Sequence, residues 1–303
     1  MPTPDSAEVL SAPLALWRQW RLNGDETPLL TQVPTLVEQL HSGSNHLIYK
    51  LVADQQYFVL RINQPHRRAL AMSLTQEVTL QRIASEQALA PDIVFHQGDW
   101  TVSRFIDAHA WPAKLDQRIE ALAHQLRKLH QLKVPDTGFD LIAHSRTYFD
   151  KLPQPNTPQT ALHQKLLVFT EQTLQRFPAR CLCHNDLIPG NILLAPLPQL
   201  IDWEYAGSNH PAFDLTSLLE WGQLNPAQQQ RLLNAYQADE PTVATNPECL
   251  QAFRLIVRYV EWLWLLQITE QGEREIKEQS KEAQTCQHRL EQALASSQFT
   301  NPI

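Results

Sequence analysis

The feature that most constrains this sequence is a His-x-Asp-x-x-x-x-Asn motif from His184 to Asn191, followed by Asp202. Short apolar stretches on either side of a turn separate Asn191 from Asp202, which predicts a β-hairpin between them. Phosphoryl transfer needs such a set, because one carboxylate faces the acceptor hydroxyl while an amide oxygen and a second carboxylate hold Mg²⁺. The motif therefore predicts a catalytic loop and a metal site. The alternative is an ordinary proline-glycine turn flanked by unrelated carboxylates.

The bulk properties exclude several classes of protein. A chain of 303 residues is long enough for two lobes, and a net charge of −7 leaves no basic footprint for nucleic acid. No apolar run approaches the length of a membrane span, and the start lacks the pattern of a secretory signal. Cys181 and Cys183 alternate on a predicted strand, a spacing that suits neither a zinc knuckle nor a redox pair. We expect four reduced cysteines, a cytoplasmic location and no membrane insertion.

Apolar alternation predicts an α+β fold with the strands first. Five strands of an antiparallel sheet are expected at residues 35–40, 47–52, 57–62, 93–96 and 100–106, with one helix at 70–90. The later helices are expected at 115–132, 161–177, 212–222, 226–238, 247–270 and 279–294. Residues 133–160 contain several prolines and are predicted to be rich in loops. The expected division is an N-terminal nucleotide-binding lobe over 1–106 and a mainly helical catalytic and substrate lobe over 107–303.

This order of elements and the motif resemble the protein-kinase-like bilobal fold, in the branch of aminoglycoside phosphotransferases, choline kinases and thiamine kinases. The resemblance covers about residues 35–270. It implies that ATP and Mg²⁺ are the cofactors and that Asp186 accepts or orients the proton of the acceptor hydroxyl. His184 would support the loop, while Asn191 and Asp202 would bind the metal.

The same resemblance implies a nucleotide site in the first lobe, drawn from Ser44, Asn45, Arg61, Glu77, Arg104 and Ile106. Arg61 stands where protein kinases carry a lysine on the third strand, which is similar to choline kinases, and Glu77 would pair with it. The alternative for Arg61 is a charge that points to solvent from an edge strand. The loop containing Ser44 would cover the phosphates with backbone N–H groups, and the segment from Arg104 to Ile106 would be the hinge that binds adenine.

The acceptor is expected to be a small molecule, because Trp203-Glu204 replaces the Phe-Gly of protein kinases and no Ala-Pro-Glu motif follows. Aromatic rings with a carboxylate can hold an organic cation. A cation pocket is therefore predicted from Glu204, Trp221, Tyr259, Glu261 and Trp262, which would suit choline, ethanolamine or thiamine. Core packing is the alternative for each ring. An aminoglycoside-type acceptor and a nucleotide-binding protein without turnover also remain open.

Overall fold

The computed structural model describes residues 6–22, 27–42, 46–63, 72–132, 139–238, 242–269 and 276–296. The chain divides into two compact units. The first is Met1–Gln125 with Gly190–Tyr205, and the second is Leu126–Pro189 with Ala206–Ile303. The segment that carries the predicted metal ligands thus belongs to the first unit, together with the sheet. The predicted assignment of nucleotide binding to residues 1–106 and of catalysis to residues 107–303 stays a prediction.

A five-stranded antiparallel sheet forms the first unit, as the alternation predicted. Its strands are β1 (Thr35–Ser42), β2 (His46–Ala53), β3 (Gln56–Asn63), β4 (Ile93–Gln97) and β5 (Trp100–Arg104), in the order β1-β2-β3-β5-β4. β3 is therefore the central strand. The side chains of Phe58 and Leu60 on β3 are fully buried in a core that also holds Trp20. Because side chains alternate along a strand, Arg61 lies on the other face from these two.

Helix α1 (Ser6–Ala15) and a short 3₁₀ turn (Trp17–Gln19) precede the sheet, and helix α2 (Leu74–Ser85) follows β3. α2 begins at Leu74 because Ser73 and Gln76 form a capping box, in which each side chain bonds the backbone N–H of the other residue. Leu74 and Val78 pack against Ile93 of β4. The predicted start of this helix at residues 70 and 71 lies outside the described residues. Glu77 is on the buried side of α2.

A small hairpin within the first unit brings the two predicted metal ligands to the same end. Strands β7 (Ile192–Leu193) and β8 (Gln199–Leu200) pair with Ile192 opposite Leu200. The N–H of Ile201 donates to the carbonyl of Asn191 at 3.0 Å. Asn191 immediately precedes β7 and Asp202 follows β8, so antiparallel pairing brings their backbones together. The hairpin predicted from the sequence is confirmed.

The second unit is mainly helical. After α3 (Ile119–His130) come α4 (Leu141–Asp150), α5 (Thr157–Arg176), α6 (Pro211–Trp221), α7 (Pro226–Gln237), α8 (Pro247–Thr269) and α9 (Ile276–Ser296). A two-stranded ladder of β6 (Cys181–Cys183) and β9 (Gly207–Asn209) lies between α5 and α6. α8 packs against α4, α5, α6 and α9. Among the helices of the described ranges, none combines the length and the apolar character needed to cross a membrane.

Helix α4 corrects the prediction that residues 133–160 consist mainly of loops. Asp140 caps the helix by accepting the N–H groups of Ile142 and Ala143, and Tyr148 and Phe149 are buried. The prolines of this segment lie on either side of α4 in the sequence and do not interrupt it. The other predicted helices are confirmed, with ends that differ by a few residues. Cys181, Cys183, Cys249 and Cys286 are free thiols in this structure.

Candidate functional site

Arg61 lies at the centre of an ion-pair network in the first unit. Its guanidinium donates to the carboxylate of Glu77 and, at 3.0 Å, to Oδ1 of Asp202. The Arg61 side chain is only 13% exposed. Because β3 is the central strand of the sheet, the alternative of a solvent-facing charge on an edge strand is wrong. The contact expected between Arg61 and Glu77 is present.

Negative charge exceeds positive charge around Arg61. Burial opposes the charge of the guanidinium, but Glu77, Asp202 and Glu204 together raise its pKa above the ordinary value. Burial also raises the pKa of Glu77 above the ordinary carboxyl value, although Arg61 acts in the opposite direction. Three carboxylates thus share one guanidinium, an arrangement that attracts a cation.

Asp202 is held in an unusual backbone conformation. Its φ of 64° is in the left-handed region, which non-glycine residues adopt rarely and aspartate more readily than most. The next residue, Trp203, anchors the turn, because its ring is fully buried and its Nε1–H donates to the carbonyl of Leu200 at 3.0 Å. The Asp202 side chain nevertheless stays 29% exposed. Asp202 and the nearby Asn191 offer carboxylate and amide oxygens, the hard ligands that suit Mg²⁺.

His46, at the start of β2, also reaches this group, and sequence reasoning missed it. Its Nδ1 lies 2.9 Å from Oδ1 of Asn63 on β3, the residue that it faces in the strand register. Its Nε2 lies 3.5 Å from Oε2 of Glu204 and 3.9 Å from Oδ1 of Asp202. The sequence places His46 directly after the predicted phosphate loop, where it was counted as a loop residue. Only the register between β2 and β3 assigns it to the site.

The predicted catalytic loop belongs to the second unit and is held by its backbone. The carboxylate of Asp214, on α6, accepts the N–H of His184 at 2.7 Å and the N–H of Asn185 at 2.8 Å. Asn185 has a φ of 63°, and its Oδ1 accepts a hydrogen bond from Asn209. His184 is fully buried and the next carboxylate, Asp186, is half-buried. These contacts fit the supporting role expected for His184, and they indicate a structural role for Asp214.

Asp214 stays ionised in spite of complete burial. Burial alone would raise its pKa, but the hydrogen bond from His130 and the charges of His130 and His184 hold the pKa below the ordinary value. His130, at the end of α3, contacts Asp214 through Nε2 at 3.1 Å and the hydroxyl of Tyr236 through Nδ1 at 2.7 Å. Sequence reasoning did not identify His130, since a histidine in the last turn of a helix is common and carries no signal of its partner.

The other residues predicted for the nucleotide site are Ser44, Asn45, Arg104 and Ile106. Ser44 and Asn45 lie outside the described residues. Arg104 ends β5, donates to Gln56, and lies 5.6 Å from the ring centroid of Phe58. Ile106 follows two residues later and is half-buried. The hinge role of the segment from Arg104 to Ile106 stays a prediction.

The five residues of the predicted cation pocket are divided between the two units, and the pocket stays a prediction. Glu204 belongs to the first unit, and the other four belong to the second. Tyr259 and Trp262 are fully buried on α8, and the Tyr259 hydroxyl lies 2.7 Å from Nδ1 of His163. Glu261 contacts Cys286 of α9, while Trp221 ends α6 and is half-buried. The positions of Tyr259 and Trp262 favour the alternative of core packing for these two rings.

Two groups of curated proteins resemble parts of the chain. The protein LicA of Haemophilus influenzae is 44% identical over 55 residues, which are 18% of this chain and 21% of that protein. A choline/ethanolamine kinase of Rattus norvegicus is 26% identical over 195 residues, covering 56% of this chain and 48% of that enzyme. The chain thus matches less than half the length of these relatives.

Solved structures match over much more of the chain. Choline kinase LicA of Streptococcus pneumoniae superposes with a TM-score of 0.71 and 17% identity, covering 96% of this chain and 98% of that one. A spectinomycin phosphotransferase in complex with ADP and spectinomycin superposes with a TM-score of 0.59 and 13% identity, covering 99% and 96%. The predicted protein-kinase-like α+β fold is confirmed.

Family membership follows from the sequence itself. The model described as the phosphotransferase enzyme family, APH, matches residues 36–251. That range is well over half of the 303 residues and includes both the Arg61 network and the His184 loop. The chain therefore belongs to the phosphotransferase enzyme family.

Proposed function

We propose that this protein is an ATP- and Mg²⁺-dependent phosphotransferase whose acceptor is the hydroxyl of a small alcohol, with choline or ethanolamine as the first candidates. The observation that carries the proposal is the buried guanidinium of Arg61, held by Glu77 and Asp202 in a chain of this family. A fixed guanidinium matches phosphate oxygens in geometry and charge.

The first unit would bind the nucleotide phosphates. Arg61 is already oriented by two carboxylates, so little side-chain entropy remains to be lost when phosphate oxygens bind. Glu77 acts as a positioning residue, because its side chain lies on the buried face of α2 and holds the guanidinium of Arg61 in place. Asn191 and Asp202 would hold Mg²⁺, which supplies neutralisation of phosphate charge when bound.

The second unit would supply the group that faces the acceptor. Asp186 is the proposed catalytic residue, since it would accept or orient the proton of the acceptor hydroxyl. His184 and Asn185 position it through their backbones, which Asp214 holds by two short hydrogen bonds. Because the loop is fixed before any substrate binds, this geometry favours catalysis by positioning.

For the acceptor, choline or ethanolamine is favoured by the choline/ethanolamine kinase among the relatives and by the choline kinase among the similar structures. Thiamine and an aminoglycoside-type acceptor are the competing candidates, and the spectinomycin phosphotransferase supports the second. A carboxylate such as Glu204 or Glu261 would attract any of these cations. Because Tyr259 and Trp262 are fully buried, Trp221 is the aromatic ring of the predicted pocket that is best placed to touch a ligand.

A coupled assay of ADP release tests the proposal. The purified protein is incubated with Mg-ATP and, separately, with choline, ethanolamine, thiamine, spectinomycin and a simple sugar. We expect release well above background with one cationic alcohol, and the phosphorylated product is then identified by mass spectrometry. Asp186→Asn should abolish transfer while leaving ATP binding, measured by calorimetry, close to that of the wild type.

The matched control is Glu282→Gln, which removes an exposed carboxylate on α9 and should leave both measurements unchanged. If no acceptor releases ADP although the protein binds ATP, the binding-protein alternative is correct. If transfer persists in Asp186→Asn, the assignment of Asp186 is wrong.

A further inference from the structure

We propose that His46, Asp202 and Glu204 form a divalent-cation site with mixed nitrogen and oxygen ligands, which binds Co²⁺ and similar transition-metal ions more tightly than Mg²⁺. The proposal deepens the proposed function, since Asp202 would also serve the nucleotide-bound metal. Binding of the ion to the protein alone does not depend on turnover. All three residues belong to the first unit, so the site is contained within one compact part of the chain.

The three side chains already converge. One ligand atom from each of His46, Asp202 and Glu204 lies within 4.8 Å of the others. The shorter separations are 3.5 Å from His46 Nε2 to Glu204 Oε2 and 3.9 Å from the same nitrogen to Asp202 Oδ1. Ligands that bind one metal ion at 2.0–2.2 Å stand about 3 to 4.4 Å apart, depending on the angle between the bonds. The observed spacing therefore needs only small adjustments to hold an ion.

The orientation of His46 presents a lone pair to this space. Its Nδ1 is bonded to the amide oxygen of Asn63, an acceptor, so in the neutral ring that a metal ion requires the proton is on Nδ1. The lone pair is then on Nε2, the atom that faces the two carboxylates. Nε2 is buried and has no hydrogen-bond partner within the described ranges of the chain. A metal-binding histidine commonly has this arrangement, in which the second ring nitrogen donates to a fixed partner.

The charges in this part of the first unit also favour a bound cation. Glu204 is 13% exposed and Asp202 is 29% exposed, so both carboxylates are partly withdrawn from water. Arg61 contributes one positive charge, but it is shared with Glu77. A divalent ion between Asp202 and Glu204 would balance the excess, and it would give the buried Nε2 of His46 a partner.

The choice of ion follows from the ligand atoms. Mg²⁺ prefers oxygen ligands in an octahedral arrangement, whereas an imidazole nitrogen favours later transition-metal ions. Asn191 and Asp202 alone would form an oxygen site. The imidazole nitrogen of His46 shifts the metal preference of the site toward transition-metal ions. This ligand distinguishes the mixed site from the magnesium site proposed at Asn191 and Asp202.

Calorimetric titration of the nucleotide-free protein with Co²⁺ and, separately, with Mg²⁺ tests the proposal. We expect the wild type to bind Co²⁺ more tightly, and His46→Gln to weaken Co²⁺ binding by roughly tenfold or more, because even outer-shell partners of metal ligands are worth roughly 10- to 100-fold in affinity. Mg²⁺ binding should change much less, since the glutamine offers an amide oxygen in place of the nitrogen. His41→Gln, at an exposed position on β1, is the matched control and should match the wild type.

Equal Co²⁺ affinity in the wild type and in His46→Gln would overturn the proposal, as would a wild type that prefers Mg²⁺. Circular dichroism and thermal unfolding of each variant separate loss of a ligand from loss of the fold. The ADP-release assay distinguishes failure of this site from failure of the proposed function. If transfer has a normal Mg²⁺ dependence but His46→Gln does not change the affinity for Co²⁺, only the mixed-ligand site is disproved. If the protein binds Co²⁺ at His46 but transfers no phosphoryl group, only the proposed function is disproved.

Discussion

Two aspartates of the motif region, Asp202 and Asp214, have opposite surroundings. Asp214 is fully buried, and its carboxylate accepts two backbone N–H groups and contacts His130. Asp202 is partly exposed, has a left-handed backbone conformation, and is paired with the guanidinium of Arg61, which also contacts Glu77. The first carboxylate accepts two backbone N–H groups, whereas the second shares its guanidinium partner with another carboxylate.

This difference supports a structural role for Asp214 and the ligand role that is proposed for Asp202. The hydrogen bond and the charge of His130, then the charge of His184 and its backbone N–H, hold the pKa of Asp214 below the ordinary value in spite of burial. The neighbours of Asp202 include two other carboxylates, Glu77 and Glu204, and like charges at this distance repel one another. A residue in such surroundings contributes little to folding and is best stabilised by a bound cation.

The largest expected effect is on activity, in Asp202→Asn. The variant keeps the size of the side chain but loses the charge that would bind the metal. Metal-ion stabilisation of the transferring group is worth several kcal/mol, and a loss of about 4 kcal/mol corresponds to a decrease of about a thousandfold in transfer rate. Thermal unfolding should be close to that of the wild type, because repulsion from Glu77 and Glu204 is relieved as the contact with Arg61 weakens. Rates come from the ADP-release assay at saturating Mg-ATP.

An Asp202→Asn variant that is strongly destabilised would contradict the comparison, because Asp202 would then be structural like Asp214. Asp116→Asn, on the 3₁₀ turn (Leu115–Gln117) before α3, is a control in the same unit for removal of an exposed carboxylate. It should leave the transfer rate unchanged.

The second prediction concerns stability, in Asp214→Asn. Removing one partner of a buried charged network costs roughly 3–5 kcal/mol. The asparagine amide also presents N–H groups toward backbone donors, so at least one N–H of His184 or Asn185 is left without an acceptor. We expect the free energy of unfolding, measured in urea by circular dichroism, to fall by about this amount. A decrease below about 1 kcal/mol would show that the loop does not depend on Asp214.

Much of the fold could be predicted because its signals are local. Alternation over Gln56–Asn63 and the polar turn before it identify β3, and amphipathic periodicity identifies α8. Helix α4 was missed because its signals are weak, with Asp140 as the cap and only a few buried residues in ten. The prolines on either side suggested a loop, although proline just outside a helix is compatible with it.

The site was less predictable, because its long-range partners have no sequence signal. Asp186, Asn191 and Asp202 were proposed from the sequence, since their spacing is itself a motif, and their roles stay predictions. His46 and His130 were not, because each acquires its role through strand register or helix packing with residues far away in the chain. Tyr259 and Trp262 show the reverse error, since a helical aromatic face predicts a pocket and a core equally well until burial is known.

The third prediction extends the comparison to the helix that carries Asp214. His210 caps α6, and its Nδ1 accepts the N–H of Ala212 at 3.0 Å. Burial, with a smaller effect of the charge of His130, lowers the pKa of His210 from 6.5 to about 4. As pH falls from 6.5 to 4, His210 binds a proton in the unfolded chain but stays neutral in the folded protein. The free energy of unfolding therefore decreases. The effect is at most about 3 kcal/mol at pH 4, from about 1.4 kcal/mol per pKa unit.

His210→Asn is the test, since asparagine can still accept the N–H of Ala212 but does not titrate in this range. The free energy of unfolding of the variant should decrease less between pH 6.5 and pH 4 than that of the wild type. His41→Asn, at an exposed position, should retain the wild-type pH dependence. Identical slopes for His210→Asn and the wild type would show that His210 is protonated in the folded protein.

The smallest effect is expected for an exposed ion pair that is as short as the hydrogen bond between Asp214 and His184. Arg176 and Glu248 approach to 2.7 Å, but their side chains are 50% and 59% exposed. Water screens such a pair, and ordering two long side chains costs entropy, so its coupling energy should be below about 1 kcal/mol.

A double-mutant cycle with Arg176→Ala and Glu248→Ala isolates this energy from the contact between Arg176 and the ring of Phe177. The coupling should decrease further in 1 M salt, where the screening length is about 3 Å. A coupling comparable to the loss in Asp214→Asn would mean that distance and not burial determines the strength of ion pairs in this protein, and the contrast between Asp202 and Asp214 would lose its basis.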